Sequence, residues 1–283
     1  MGYKFVKAKL VIILVSCLLS ACEKIDMRGM FLSYRSVNER FEQSMEWNNT
    51  HSYSEIVVPA DDYTIFVMSD SHVGGTENMD SFFADAIASG AVAAVMAGDL
   101  TTGQEADYRV FEEHLPDPGL LAQFPLVGNH DLYFNGWQHF YSLFGSSSYL
   151  FTVRSPVATD LFICLDSGSG TLGSRQLEWL KDLLPDERAE YRRCVIFTHN
   201  NLFRFRRTAS TSPLVEELQV LMDLFIRHDV NMVITGHDHR KAAGKLGNTS
   251  HIILDALVDG NSEAGYMEIN ITDGNIGYTF INL

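Results

Sequence analysis

Residues 95–100 read VMAGDL and residues 126–131 read LVGNHD. Each is an apolar run that halts at a polar cluster, the first at Gly98-Asp99 and the second at Gly128-Asn129-His130-Asp131. The same punctuation recurs three more times. YTIFVM (63–68) runs into Ser69-Asp70-Ser71-His72, CVIFT (194–198) into His199-Asn200, and VNMVIT (230–235) into Gly236-His237-Asp238-His239. Short runs rich in Val, Ile and Phe with abrupt polar ends read as buried strands. AVAAVM (91–96), FPLV (124–127), LFICL (161–165) and HIILDAL (251–257) belong to the series, while YMEINI (266–271) and IGYTFI (276–281) alternate like antiparallel edge strands.

Helical patterns fill the gaps. DSFFADAIASG (80–90) spaces apolar residues three and four apart and stops at Gly90, a C-cap signal. SRQLEWLKDLL (174–184) offers Ser174 as N-cap and sets Leu177, Leu180 and Leu184 on one stripe. SPLVEELQVLMDLFIRH (212–228) opens with Ser212 as N-cap and Pro213 at the first helical position. Strands alternating with helices imply β-α-β units and sheet faces covered by helices, hence one α/β domain over residues 56–283.

Composition limits what such a domain can do. The chain of 283 residues is 46% hydrophobic and 20% charged, as in ordinary globular proteins, and its formal charge is −15. So acidic a surface repels nucleic-acid phosphates, and no nucleic-acid-binding face is expected. A phosphate-bearing small substrate remains open if bound cations dominate the local field. Residues 1–21 read as an export signal, with Lys4, Lys7 and Lys9 preceding the apolar LVIILVSCLLS, a run too short to span a bilayer comfortably. Leu19-Ser20-Ala21-Cys22 resembles a bacterial lipobox, which would make Cys22 a lipid anchor and place the protein at the cell envelope. A plain secretory signal is the other reading. Residues 22–55 read as a tether, although Phe31, Leu32, Phe41 and Trp47 suggest that part of it packs onto the body. Cys164 and Cys194 lie in apolar runs and read as buried thiols, with a disulfide as the lesser alternative.

In a mainly parallel sheet the C-terminal strand ends share one edge, where ligand sites collect. The five clusters would thus gather Asp70, His72, Asp99, Asn129, His199, His237 and His239, with His130 beside them. Carboxylate oxygen with imidazole nitrogen and no thiolate suits Mn, Fe or Zn. Seven ligands exceed the needs of one ion and suit two that share a carboxylate. Such a pair clamps a phosphoryl group and turns a bridging water into a nucleophile near neutral pH.

Any one cluster alone would be weak support. The ordered set DSH, GD, GNHD, a strand-end His and GHDH closely resembles the calcineurin-like metallophosphoesterase family, and the LDSGSG…LGSRQLEWL text of 165–180 resembles that family's segment between its third and fourth motifs. The resemblance implies a four-layer α/β/β/α sandwich with the dimetal site at the C-terminal strand edge. It implies Asp70, His72, Asp99 and His239 on one ion, and Asp99, Asn129, His199 and His237 on the other, with Asp99 bridging. It also implies that His130 steadies phosphoryl charge or protonates the leaving oxygen, and that Asp131 orients His130 from behind. Two departures stand out. Thr102 replaces the tyrosine that marks the purple acid phosphatase branch, so no tyrosinate-bound ferric ion is expected. Asn200 follows His199 where relatives often carry His or Pro.

The GDLT and GHDHR wording is most like the small phosphodiesterase branch. Diester hydrolysis is therefore expected ahead of monoester hydrolysis, on an extracytoplasmic phosphoester. Arg204, Arg206 and Arg207 in LFRFRRTASTS (202–212) would grip a second phosphate, or else form a solvated basic loop. Two alternatives stay open: a metal hydrolase of a non-phosphate bond, and a non-catalytic surface lipoprotein that retains the fold for binding.

Overall fold

The apolar runs are strands, and their alternate residues face different layers. The computed structural model describes residues 33–51, 54–201 and 215–283. Its first half runs α1 (Val37–Thr50), β1 (Ser54–Val57), β2 (Tyr63–Met68), α2 (Glu77–Ala88), β3 (Ala93–Ala97), α3 (Glu105–Glu113), β4 (Ala122–Leu126), a 3-10 segment (His130–Asn135) and α4 (Trp137–Phe144). There follow β5 (Tyr149–Arg154), β6 (Thr159–Leu165), α5 (Gly173–Glu187), β7 (Cys194–Thr198) and α6 (Val215–Arg227). The chain closes with β8 (Met232–Thr235), β9 (Ala242–Leu246), β10 (Thr249–Ile253), β11 (Gly265–Ile271) and β12 (Ile276–Asn282).

These strands form two sheets. One has the order β1-β5-β6-β7-β8-β10-β9, the other β12-β11-β2-β3-β4. The strands that deliver the polar clusters are parallel within each sheet, β2 to β3 to β4 and β7 to β8. The period of two then sorts side chains by layer. Ile65, Val67, Val95 and Leu126 meet Phe151, Phe162, Phe197 and Ile234 between the sheets. The alternate residues Phe66, Met68, Ala94 and Met96 face outward onto Phe82, Phe111, Trp137 and Phe140 of the helices. On the far side Leu161, Ile163, Ile196 and Val233 meet Leu180, Leu184, Leu221 and Phe225. The result is the helix–sheet–sheet–helix sandwich.

Local signals held in part. Gly90 has φ +71° and ends α2 in a Schellman pattern, its amide on the Ile87 carbonyl and the Ala91 amide on that of Ala86. Ser174, by contrast, is not the cap of α5, which begins one residue earlier, after Leu172. The early amides of this helix are satisfied from elsewhere: Leu172 donates to Glu217 of α6 (2.9 Å) and Arg175 to Asn38 of α1 (3.2 Å). HIILDAL is a strand only to Ile253. Beyond it the chain crosses to the other sheet, where the Leu257 amide donates to the Ser69 carbonyl at 3.0 Å. Ser212 and Pro213 lie outside the described residues.

Cys164 and Cys194 are both free. Cys164 faces the inter-sheet layer and Cys194 the helix layer, so their side chains leave adjacent strands on opposite faces. No bridge can close across a sheet in that way.

Helix α1 is an element the apolar pattern did not announce. Ser36 and Glu39 form a capping box at its start. The helix docks through Phe41 and through Arg40, which is fully buried. Arg40 donates to both Asp166 oxygens (2.7 and 3.0 Å), to Ser169 Oγ (3.0 Å) and to the Arg35 carbonyl (2.9 Å).

Candidate metal centre

All five polar clusters meet at one rim, where the C-terminal ends of β2, β3 and β4 face those of β7 and β8. Backbone bonds carry the sheets past their formal ends: the Asp70 amide donates to Gly98, His72 to Asp99, and Gly236 to His199, each at 3.0 Å. Two further bonds tie sheet to sheet. The His237 amide donates to the Asp70 carboxylate at 2.9 Å, and His199 Nδ1 lies 2.9 Å from the Ala97 carbonyl. A carbonyl only accepts, so Nδ1 of His199 carries a proton, and Nε2 is the nitrogen that faces Asp99.

Five of the seven expected ligands have left-handed backbones: Asp70 (φ +57°), His72 (+42°), Asp99 (+52°), His237 (+68°) and His239 (+52°). Such a conformation costs a non-glycine residue about 1–2 kcal/mol. Its repetition here marks a site whose geometry overrides local preference. The glycines of the motifs have the same origin. Gly98 has φ +88°, and a Cβ there would lie 2.6 Å from Nδ1 of His199. A Cβ on Gly128 would overlap the Asp99 amide and carboxylate.

The ligand atoms fall into two groups, each with its atoms within 4.8 Å of one another. Asp70, His72, Asp99 and His239 make one, and Asp99, His199 and His237 the other. Asp99 belongs to both. Its Oδ2 lies 3.1 Å from His199 Nε2 and 3.8 Å from His72 Nε2, while Oδ1 accepts the His130 amide at 2.7 Å. His239 Nε2 is 3.2 Å from Asp70 Oδ1 and from His72 Nε2. Asn129 is buried and directly precedes His130, whose amide bonds Asp99.

The electrostatics ask for cations. Burial alone would raise Asp70 and Asp99, yet the surrounding histidines hold both below the usual carboxylate range. Burial works against a charged His199, but the Asp99 and Asp70 carboxylates win and push it up to about 10. His237 goes the other way, held down to about 4 by burial and then by His199. Its Nε2 is buried and has no hydrogen-bond partner among the described residues. A buried, uncharged imidazole nitrogen beside two carboxylates fits a metal ion, as does the all-oxygen-and-nitrogen donor set.

His130 stands next to these groups, its ring centroid 4.5 Å from that of His72 and nearly perpendicular to it. Asp131 takes a different part from the one expected. Its carboxylate accepts the amides of Leu100 (3.2 Å), Thr101 (2.8 Å) and Gly128 (2.8 Å) and the Thr101 hydroxyl (3.0 Å). Those four bonds fill its acceptor sites, so it clamps the β3 loop to the β4 loop instead of turning the His130 ring. Arg204, Arg206, Arg207 and Cys22 lie outside the described residues.

A sandwich whose rim joins two Asp/His ligand groups through one carboxylate defines a dimetal hydrolase centre. The family model of the calcineurin-like phosphoesterases matches residues 63–241, and the chain belongs to that family; it is a metallophosphoesterase. The fold is similar to that of a dimetal phosphatase from Danio rerio, with a TM-score of 0.61 at 13% identity over 78% of this chain and 96% of that one. It is also similar to GAP50, the anchor in the inner membrane complex of Plasmodium, with a TM-score of 0.62 at 12% identity over 78% of this chain and 84% of that one. No curated protein matches the chain in sequence.

Proposed function

We propose that the protein hydrolyses phosphodiesters in preference to monoesters, at the cell envelope. The observation that carries the reading is the pair of ligand groups sharing Asp99. Asp70, His72, Asp99 and His239 would hold one divalent ion, and Asp99, Asn129, His199 and His237 the other, with Mn, Fe or Zn suited to these donors. When bound, the ions supply Lewis-acid charge for the phosphoryl oxygens and a nucleophilic water at neutral pH.

The protein's own groups do the rest. The Ala97 carbonyl fixes the His199 tautomer, and the His130 amide holds one Asp99 oxygen so that the other is free to face the ions. His130, only partly buried beside His72, is placed to donate a proton to a phosphoryl or leaving oxygen. His239 is 47% exposed, so the rim has room for an ester with two substituents. The GDLT and GHDHR wording supports the diester preference.

The test is a comparison of bis-p-nitrophenyl phosphate with p-nitrophenyl phosphate in manganese, with Asp99→Ala as control. Faster cleavage of the diester, absent in the variant, is expected. Faster cleavage of the monoester would overturn the preference. For the envelope assignment, Cys22→Ala is expected to move the protein from the membrane to the soluble fraction. Unchanged fractionation would sink the lipid anchor.

A further inference from the structure

The loop after His130 has a feature that the metal centre does not use. Rings run outward from the ligand His72 in an unbroken series. His130 lies 4.5 Å from His72, Tyr133 lies 4.6 Å from His130, and Phe134 lies 6.4 Å from Tyr133 at 87°. The last member is 49% exposed, one of few large apolar side chains left in water. Phe134 and Asn135 also take successive left-handed backbones, φ +54° and +62°. For a bulky residue such as Phe that conformation is an outlier, and it persists only where the surroundings impose it. Here they do. The Tyr108 hydroxyl donates to the Asp131 carbonyl (2.9 Å), the Gly136 amide donates to the Tyr133 carbonyl (2.8 Å), and a Cβ on Gly136 would overlap the Asp131 carbonyl. A rigid, strained loop thus holds an exposed aromatic ring four residues beyond the proposed proton donor.

Packing does not account for that cost, since a half-exposed ring gains little from burial. Any Gly or Asn would take the same backbone more cheaply. We propose that Tyr133 and Phe134 form a subsite for a planar aromatic or apolar group esterified to the phosphate, such as an aryl or nucleobase-bearing ester. The subsite rests on the phosphoesterase reading and deepens it. Phosphate oxygens face the ions, and the organic group lies along the ring series past His130. An aromatic face is a sequence-tolerant partner for any flat ring.

The experiment measures binding, so that turnover is not required. Phenyl phosphate, ethyl phosphate and inorganic phosphate are titrated into the full chain loaded with manganese, with Phe134→Gly and Phe134→Tyr alongside. Phe134→Gly keeps the positive φ without strain, so it removes the ring and not the loop. Wild type is expected to bind phenyl phosphate about 10-fold tighter than ethyl phosphate, the scale of one stacked ring. Phe134→Gly should bring the two within about 2-fold, and Phe134→Tyr should restore the preference. An equal preference in Phe134→Gly, or none in wild type, overturns the subsite. Failure of inorganic phosphate itself to bind would instead overturn the phosphoesterase reading, and the subsite with it.

Discussion

Asp99→Ala is expected to strip both ions from the protein and to lower phosphoester turnover by more than about 10³-fold, the scale of losing a metal pair's charge stabilisation. Among the described residues no other side chain belongs to both ligand groups. Asp99 is 1% exposed, and both of its oxygens are engaged, one by the His130 amide and one facing His199 and His72. Truncation therefore removes the shared ligand and the negative charge that draws cations to the rim. The fold should survive, because Asp70 and Asp131 both lose a like-charged neighbour; burial and then Asp99 push Asp131 up to about 7. With metal removed from both proteins, the unfolding temperature is expected to hold or rise in the variant, the usual exchange at a strained site. His130→Ala separates chemistry from binding. It should keep two metals per chain while kcat falls by about 10²–10⁴-fold, the range for a lost general acid or base. Elemental analysis with kcat checks both variants. Two metals retained by Asp99→Ala would refute the bridge, and metals lost from His130→Ala would make that residue a ligand.

The centre was legible because its chemistry constrains residue type at fixed places along the chain. Asp70, His72, Asp99, Asn129, His199, His237 and His239 follow strands whose apolar runs are long enough to recognise, and parallel pairing brings the ends together. The strands most easily found were those buried on both faces. β1, β5 and β9 were missed: β1 and β9 only alternate between exposed and intermediate, and β5 is fully buried only at Phe151 and Val153. The role of Asp131 was not legible, because three of its four partners are backbone amides, which any sequence supplies. The reason for the glycines of GD and GNHD was not legible either, since only the approach of His199 and Asp99 gives it. Ser174 misled because Glu217 and Asn38, far away in sequence, do the work of a cap. Helix α1 escaped for a related reason: polar contacts hold it as much as an apolar stripe does. The one local signal was Ser36-x-x-Glu39.

Arg40→Ala is the second large effect, a loss of about 3–5 kcal/mol in stability, as expected when one partner of a buried ion pair is removed. For a domain of this size that is a fall of roughly 10 °C or more in Tm. The Asp166 carboxylate, 1% exposed, would be left without the guanidinium that accompanies it, and Ser169 and the Arg35 carbonyl would lose their donor. The consequence reaches the rim. Asp166 opens the loop in which Ser167 accepts the Thr198 hydroxyl (2.7 Å) and the Asn200 amide (2.8 Å), the residues on either side of His199. Metal held by Asn129, His199 and His237 should therefore leave the variant at lower chelator concentration than metal held by Asp70, His72 and His239. Arg40→Met with Asp166→Leu is the informative control, because replacing both partners by apolar groups of similar size removes the desolvation cost along with the attraction. If the charge itself matters little to stability, the double variant unfolds close to wild type while Arg40→Ala does not. If Arg40→Ala too unfolds at the wild-type temperature, with both metals held equally, then α1 is an appendage to the sandwich and not one of its supports.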